Sequence, residues 1–523
     1  MKFLFIWPNK DQFGFRPMSL AMLSAILKKA GHEVELFDTT YIDFGFKGTI
    51  EVFSKAKAFK DTDMSQYNLA KEQVNFKDEL LKVLNEFKPD IVGISALSDE
   101  VEIGVQASEI TKEWNKDAIV IWGNKFATMS PEKVLIHSCV DYVCRGEAIE
   151  FLSEFVNYIQ NHQDPRNLLN ISYRDKNNGE IINNPLRPYF QDLDSLPYFD
   201  WTIFDERHSF KPYEGKVQRR GDHMISWGCP NHCSYCLNRT YRDLYGSHAG
   251  KFIRFYSVDR IIDELEYLTK KYGITFYKFH DEEFLVKPIE YLRELAEKYS
   301  KRINVPFTAT INTHFVTLEK VELLKKMGCI SVTVGVETGN DKLRKEVLYR
   351  VDTKEEIIKG VKMLNETGIR TSAFNMLGLP FESRETVMET IALNREAGVQ
   401  YPIAQFFFPL EGTPLRKIAI ENGFMDEDSK LIFENDKPSL RLPKITSKEL
   451  IKLHERFVLY IKMPKELYKY IERSEKDDDI AKELTTELQY LYDQYVFSNE
   501  GKWNNKVEIR EIVNNLEKIV EKS

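Results

Sequence analysis

The sequence contains no long hydrophobic run and no secretory signal. No stretch of its 523 residues approaches the roughly 20 consecutive apolar residues of a membrane span. The segment MKFLFIWPNK at the start has only a short apolar run before Pro8. A secretory signal needs about 7–15 apolar residues and a cleavage site of small residues, and both are missing. We therefore expect a cytoplasmic protein without a membrane span.

The chain also has no excess of basic over acidic residues, and it contains few cysteines. Its 73 Lys and Arg residues against 81 Asp and Glu residues give a formal charge of −8. Because binding to phosphates needs a basic face, we expect no nucleic-acid partner. Six cysteines are too few for a disulfide scaffold. Three of them, however, lie within residues 229–236, and clustered cysteines in a reducing compartment more often bind a metal or react than form bridges.

The first third of the chain alternates between short apolar runs and amphipathic stretches. Such runs separated by helices predict parallel strands, because parallel neighbours need crossover connections. With helices on both faces, the expected fold is α/β, a doubly wound parallel sheet over residues 1–165. Residues 41–75 fit no such unit and are interpreted as an insertion. The predicted strands are residues 2–7, 33–38, 90–96, 118–123 and 141–146.

A polar, loop-like segment at 166–215 is predicted to be a linker, and a second alternating series follows it. Six successive β/α units in residues 216–430 favour a partial (β/α)6 barrel, whose chemistry is carried by the loops after the strands. The strand signal fades from about residue 430, and a capping box from Thr446 to Glu449 opens a helical C-terminal domain, residues 431–523. The six predicted strands are residues 223–228, 274–280, 307–312, 331–337, 371–378 and 403–409.

The most informative motif is SWGCPNHCSYCLNR, which places Cys229, Cys233 and Cys236 in a C-x3-C-x2-C pattern. Structural zinc sites use four protein ligands, so zinc would need His223 or His232 as the fourth. An iron–sulfur cluster with three cysteine ligands would leave one iron open to another ligand. Three cysteines without a metal are a third possibility that the spacing leaves open.

This spacing resembles the signature of radical S-adenosylmethionine (radical SAM) enzymes, in which a 4Fe-4S cluster binds SAM through its open iron. The resemblance extends to FHDEEF (279–284), SVTVGVETGNDKLRKEVLYR (331–350) and NMLGLPFE (375–382). It implies that the three cysteines hold the cluster. It also implies a set of residues that bind SAM, namely Tyr235, Asp281, Glu282, Asn312, Glu337, Arg350, Asn375 and Gly378. Cys329, at a helix-to-strand turn, is interpreted as a core residue.

The first 160 residues resemble the cobalamin-binding domain that is fused to one large subgroup of these enzymes. The matching segments include KPDIVGISAL, IVIWGNKFATMSPE and VDYVCRGEAIE. The resemblance implies that cobalamin contacts small residues at the strand ends, Gly93, Ser95, Gly123 and Gly146. The chain departs from the family where Gly123-Asn124 replaces the usual pair of glycines. It also has no D-x-H-x-x-G motif, so we expect no histidine ligand to cobalt.

The resemblance implies an enzyme that cleaves SAM to a 5′-deoxyadenosyl radical and methylates an unactivated carbon of a small-molecule or natural-product substrate with the help of cobalamin. A flavodoxin or ferredoxin is the implied electron donor. A radical cyclisation, rearrangement or oxidation on the same architecture is an alternative. A zinc-stabilised binding protein is an alternative of another class. The related methylthiotransferases of transfer RNA are disfavoured because Cys139 and Cys144 are too few for a second cluster.

Overall fold

The structure is a computed structural model. It describes residues 1–11, 14–45, 62–213, 215–427, 429, 436–499, 501–504 and 508–522. Much of the predicted insertion at 41–75 lies outside the described residues. Its described part includes a bridge between Ile42 and Glu72 and a short 3-10 helix, Ser65–Tyr67. Within the described ranges, no helix is both long enough and apolar enough to cross a membrane.

The N-terminal part is a seven-stranded sheet in the order β2-β1-β3-β4-β5-β6-β7. Its first five strands are parallel, which confirms the predicted doubly wound sheet. Successive side chains of one strand supply opposite cores, since Phe3 and Phe5 pack on one face and Leu4 and Ile6 on the other. The strands are β1 (Lys2–Trp7), β2 (Glu33–Asp38), β3 (Ile91–Ser95), β4 (Ile119–Gly123), β5 (Tyr142–Cys144), β6 (Ile171–Arg174) and β7 (Ile181–Asn183).

Helices cover both faces of this sheet. They are Met18–Lys29, Phe76–Phe87, Val101–Trp114, Asn124–Met129, Pro131–Leu135 and Ile149–Gln160. The strand β6 pairs antiparallel with β5, and β7 pairs antiparallel with β6. Both lie in the segment predicted to be loop-like. That segment also contains β8 (Phe210–Tyr213), the edge strand of the second sheet. The segment is therefore structured, and it adds strands to both sheets, instead of forming an irregular linker.

The second sheet has the order β16-β15-β14-β13-β12-β9-β8. All its pairs are parallel except β8 with β9, so the predicted six-stranded partial barrel gains one antiparallel edge strand. Its further strands are β9 (Lys216–His223), β12 (Phe276–Phe279), β13 (Phe307–Ile311), β14 (Cys329–Glu337), β15 (Arg370–Leu377) and β16 (Tyr401–Phe406). A separate two-stranded sheet pairs β10 (Ser226–Trp227) with β11 (Arg254–Phe255).

The first barrel strand differs from its prediction. Residues 223–228 were predicted as a strand, but the barrel strand β9 ends at His223 and only Ser226–Trp227 are extended, in the small sheet. The reason is that β9 directs Arg220 and Asp222 to the inner face of the barrel, so its sequence KVQRRGDH lacks an apolar run. The cysteine motif therefore follows β10 instead of the first barrel strand.

Helices cover the outer face of the second sheet. The helix Val258–Tyr272 begins at Ser257, whose side chain accepts a hydrogen bond from Arg260 N, and ends at the left-handed Gly273. The barrel helices are Leu237–Tyr245, Val258–Tyr272, Ile289–Arg302, Leu318–Lys326, Lys354–Glu366, Arg384–Ala397 and Pro414–Glu421. The C-terminal region contains the helices Ser447–Lys462, Tyr468–Arg473, Asp479–Tyr495 and Ile509–Val520, packed on β15, β16 and the helix Arg384–Ala397.

Candidate active site

The cysteine loop connects β10 to the helix Leu237–Tyr245. Its centre is fixed by two backbone hydrogen bonds, from Ser234 N to Leu348 O (3.0 Å) and from Leu415 N to Ser234 O (3.0 Å). Cys233 is buried, and Cys229 and Cys236 are half-buried. The loop is therefore anchored from outside the motif while its three thiols stay within one short turn.

The three thiols are close enough to influence one another electrostatically. The pKa of Cys229 is raised to about 12, mainly by burial and in smaller part by charges on Glu283, Cys236 and Cys233. Within the described part of the chain, no three His, Cys, Asp or Glu side chains are arranged as ligands of one metal ion. Three neighbouring thiols without a converging fourth ligand fit a multi-iron cluster, in which each cysteine binds a different iron, better than they fit a structural zinc ion.

The two histidines that could complete a zinc site lie in environments that do not suit a ligand. His223 is fully buried on the helix side of the barrel, where its Nε2 lies 3.4 Å from Glu264 Oε2 and its ring packs edge-on against Phe199. His232 is exposed, and burial and the neighbouring Arg242 lower its pKa. Neither arrangement supplies a fourth ligand, so the structure disfavours the Cys3His alternative.

Tyr235, Glu337 and Arg350, three of the predicted SAM residues, meet beside the loop. The Tyr235 hydroxyl donates to Glu337 Oε1 (3.3 Å) and accepts from Arg350 (2.9 Å). Asp352 holds Arg350 with two hydrogen bonds of 2.9 and 2.7 Å. Burial raises the pKa of Glu337, which ends β14. The network thus presents a carboxyl group next to the cysteine loop.

In the acidic segment after β12, Asp281 and Glu282 have different roles. Asp281 is fully buried and bonds to Lys287 Nζ (2.6 Å) and Ile225 N (3.0 Å), which is a structural arrangement. Glu282 accepts from Gly228 N (3.2 Å), just before the first cysteine, and its side chain is exposed toward the cavity described below. Its partial removal from solvent there raises its pKa. Of the two predicted acids, Glu282 is the one that can reach a ligand.

The remaining predicted SAM residues differ in the direction they face. Asn312 directly follows β13, and its side chain accepts a hydrogen bond from His314 N (2.9 Å). Asn375 faces away from the barrel interior, since its amide bonds to Asn394 on the helix Arg384–Ala397. Gly378 has φ +78°, and its amide donates to Glu382. The Asn375 side chain is therefore committed to packing, contrary to a ligand role.

A cavity of about 970 Å³ separates the two sheets and brings the four predicted cobalamin residues together. Gly93, Ser95, Gly123 and Gly146 all line it from the N-terminal side. Trp227, Gly228, Leu237, Asn238 and Glu282 line it from the side of the cysteine loop. The sheet order 2-1-3-4-5 places the cavity at the carboxyl ends of the strands, around the switch between β1 and β3, where doubly wound sheets bind their ligands.

Two details fit a broad, flat ligand at this edge. A Cβ on Gly93 would lie 2.7 Å from the Phe3 ring, so the strand can carry no side chain there. Asn124, which departs from the family's pair of glycines, adopts the left-handed φ of +76° that a glycine would favour, and its side chain bonds to Ser95 (3.2 Å). No histidine is among the described residues that line the cavity. The lining thus fits cobalamin held by backbone and small side chains.

Sequence reasoning missed several residues of this region. Asp352 orients Arg350, Glu283 accepts from Asn312 N, and Phe408 and Glu411 line the cavity. Trp7, which ends β1 at the switch point, and Asn9, which follows that strand, also line the cavity. The strand-end rule could have identified the residues after β1, whereas nothing local to Asp352 or Glu411 signals its contact.

Comparison with known proteins gives a family match for each of the two parts that contain a large sheet. Residues 225–393 match the model of the radical SAM superfamily and residues 12–156 that of the B12 binding domain. An uncharacterized methyltransferase of Pyrococcus horikoshii is 27% identical over 76% of this chain and 84% of its own length. The anaerobic magnesium-protoporphyrin IX monomethyl ester cyclase of Rubrivivax gelatinosus is 26% identical over 76% of this chain and 66% of its own.

The fold also matches a solved structure. The cobalamin-dependent SAM radical enzyme OxsB, solved with aqua-cobalamin and SAM bound, has a TM-score of 0.63 and 16% identity, over 94% of this chain and 72% of that protein. At this identity the likeness is one of fold. It covers both sheets and the C-terminal helices together.

Proposed function

We propose that this chain, a cobalamin-dependent radical SAM enzyme, transfers a methyl group to an unactivated carbon of a small-molecule or natural-product substrate. The observation that carries the proposal is the cavity of about 970 Å³ between the two sheets. One wall consists of the loops of the B12 binding domain, and the other contains residues that flank the cysteine loop. A substrate in this cavity would lie between the two cofactors, as methyl transfer requires.

The chain's own residues bind and orient. Cys229, Cys233 and Cys236 would hold the cluster, and Gly93, Ser95, Gly123 and Gly146 would lie against cobalamin. Glu282, Glu337, Asn312 and the backbone at Gly378 would face SAM, with Tyr235 and Arg350 fixing Glu337. We leave Asp281 and the Asn375 side chain out of this set, because both are committed to structural hydrogen bonds. When bound, the cluster with SAM would supply radical chemistry and cobalamin a methyl carrier.

Radical cyclisation without methyl transfer is the second candidate. It is favoured by the 26% identity to a cyclase over 76% of this chain. An electron donor such as flavodoxin or ferredoxin belongs to either proposal. The two candidates share every cofactor residue named above, so only the fate of the SAM methyl group separates them.

The test begins with anaerobic reconstitution of the full chain and of Cys233→Ala. The wild type should bind about four irons and form 5′-deoxyadenosine from SAM under a chemical reductant, whereas Cys233→Ala should lose both properties. Cys329→Ala is the matched control, because Cys329 is a buried cysteine in the barrel core outside the motif. Iron binding that is unchanged in Cys233→Ala would contradict the ligand assignment.

Methyl transfer is tested separately with candidate small molecules from the genomic neighbourhood. We expect cobalamin to stay bound through purification and a labelled methyl group to pass from SAM to a carbon of the product. Cleavage of SAM and conversion of substrate without transfer of the label would favour cyclisation. Failure to bind cobalamin under any condition would refute methyl transfer.

A further inference from the structure

The interior of the half-barrel, which we call the lumen, is open space lined by the inner faces of its strands. On β15 the residues alternate, with Thr371, Ala373 and Asn375 buried on the helix side and the intervening residues accessible. Phe374 is 37% exposed although its strand has a neighbour on either side. A phenylalanine that is accessible in mid-sheet shows that no group from the described part of the chain fills the space in front of it.

The opposite side of the lumen is charged. Arg220 and Asp222 of β9 share one face, and the parallel register places Lys278 of β12 beside Asp222. Tyr277 points the other way, into the helix layer, where its hydroxyl donates to Leu265 O. Lys278 therefore points into the lumen, and its side chain is half-buried rather than enclosed.

Asp222 does not neutralise these groups. Its Oδ1 lies 3.0 Å from Arg220 and 2.9 Å from His280, and its Oδ2 lies 3.4 Å from Arg16 of the N-terminal part. One fully buried carboxylate thus serves two arginines and a histidine before Lys278 is considered.

Among the described residues of this group, three basic side chains, Arg16, Arg220 and Lys278, thus share one carboxylate, that of Asp222. Burial and the charge of Arg220 lower the pKa of Lys278 to about 8, although the charge of Asp222 acts in the opposite direction.

We propose that the lumen binds an anionic group of the substrate, a carboxylate or a phosphoryl group, between Lys278 and Arg220. The assignment of this anion to a substrate rests on the proposed function, and it adds the chemical class of that substrate. An anion there would complete the charge balance, and Phe374 across the lumen offers an apolar surface for the rest of the molecule. The substrate is accordingly a small acid with an apolar portion.

The test uses inorganic phosphate and acetate as probes on the full chain, reconstituted with cluster, SAM and cobalamin. Binding is measured at constant ionic strength by isothermal calorimetry and by the width of the phosphate ³¹P resonance. Wild type should bind at least one probe saturably, and the stronger probe indicates a phosphoryl or a carboxylate substrate. Lys278→Gln should weaken that binding about tenfold or more, which corresponds to about 1.4 kcal/mol. Lys278→Arg should retain most of it.

Two controls make the result specific. Lys301→Gln removes an exposed lysine from the helix Ile289–Arg302 and should leave binding unchanged. Arg220→Gln should weaken binding as Lys278→Gln does, and circular dichroism would show whether either variant is folded. Equal binding to wild type and a folded Lys278→Gln, or no saturable binding to wild type, would overturn the proposal.

Competition experiments identify the owner of the site. They use the full chain reconstituted with the cluster alone, to which the probe and then SAM or cobalamin are added. If SAM or cobalamin displaces the probe in stoichiometric amounts, the anion site belongs to a cofactor carboxylate or phosphate and the proposal is wrong. Cleavage of SAM and retention of cobalamin are measured without any probe, so they report on the proposed function alone. The two proposals can therefore fail independently.

Discussion

At the scale of single residues, several buried carboxyl groups are held by backbone amides without a cation. Glu382 accepts from the amides of Gly378 and Leu379 (3.3 Å for the latter), and its other oxygen has no hydrogen-bond partner among the described residues. Burial raises its pKa to about 8. The carboxyl group therefore fixes the turn that follows β15 while remaining protonated below that pH.

The raised pKa of Glu382 predicts a specific dependence of stability on pH. Below about pH 4.5 the group is protonated in both the folded and the unfolded chain. Between about pH 4.5 and 8 the unfolded chain loses this proton and the folded chain keeps it, so the free energy of unfolding falls by about 1.4 kcal/mol per pH unit. Glu382→Gln, which stays neutral and can still accept from Gly378, should lack this contribution.

We expect urea midpoints for the wild type and Glu382→Gln to diverge between pH 6 and pH 8, with the variant becoming relatively more stable. Glu366→Gln, at an exposed position on the helix Lys354–Glu366, is the control and should follow the wild type. Parallel midpoints for wild type and Glu382→Gln across this range would mean that Glu382 is already ionised in the folded chain.

At the scale of elements, local signals specify where helices begin. The capping box predicted from Thr446 and Glu449 is present, with Glu449 N donating to Thr446 Oγ1 (3.2 Å) and Thr446 N donating to the Glu449 carboxylate (2.9 Å). Thr446→Ala should destabilise the helix Ser447–Lys462 by about 1 kcal/mol, since one side chain satisfies an otherwise unpaired amide. Thr446→Ser keeps the hydroxyl and should cost less. Equal losses in the two variants, measured by urea unfolding, would assign the effect to the lost methyl group.

Elements whose apolar residues face a protein core were predictable from the sequence, and elements with charged or polar faces were not. The predicted bounds of β1 and β2 agree with the structure because their apolar residues face cores. The strand β9 was displaced in the prediction because its inner face bears Arg220 and Asp222, which conceal the alternation. The short strands β6, β7 and β8 are polar and pair antiparallel, so no crossover helix marks them.

The candidate site shows the same division. The cysteine motif is local, and its spacing alone was enough to predict three thiols on one loop. The opposite directions of Asp281 and Glu282 depend on Lys287 and on the backbone at Gly228, which are distant contacts. The side-chain direction of Asn375 follows from the alternation along β15, which places it with the helix layer. This alternation is visible in the sequence and argues against a ligand role for the Asn375 side chain.

At the scale of the whole molecule, the cavity exists because the two sheets are held together. A largely buried ion pair is one of the contacts that cross the boundary between them. Arg254 of β11 forms two hydrogen bonds with the Glu147 carboxylate (2.6 and 3.0 Å), next to Gly146 at the cavity. The arginine side chain is 5% exposed. A second pair across the same boundary, Lys133 with Glu411 (2.8 Å), has a lysine that is 46% exposed.

Removal of the cation should destabilise the protein much more for the first pair than for the second. Arg254→Gln leaves the Glu147 carboxylate partly buried without a charge partner, so it should cost about 2–3 kcal/mol and reduce the cobalamin retained per chain. Lys133→Gln should cost under about 1 kcal/mol, since solvent screens the pair and Arg416 still lies 3.0 Å from Glu411. Urea unfolding and cobalamin absorbance after gel filtration measure both effects. Adding Glu147→Gln to Arg254→Gln should recover part of the stability, because no uncompensated charge then remains. If the double variant is instead less stable than Arg254→Gln, the Glu147 carboxylate stabilises the boundary through Phe190 N (2.9 Å), independently of Arg254.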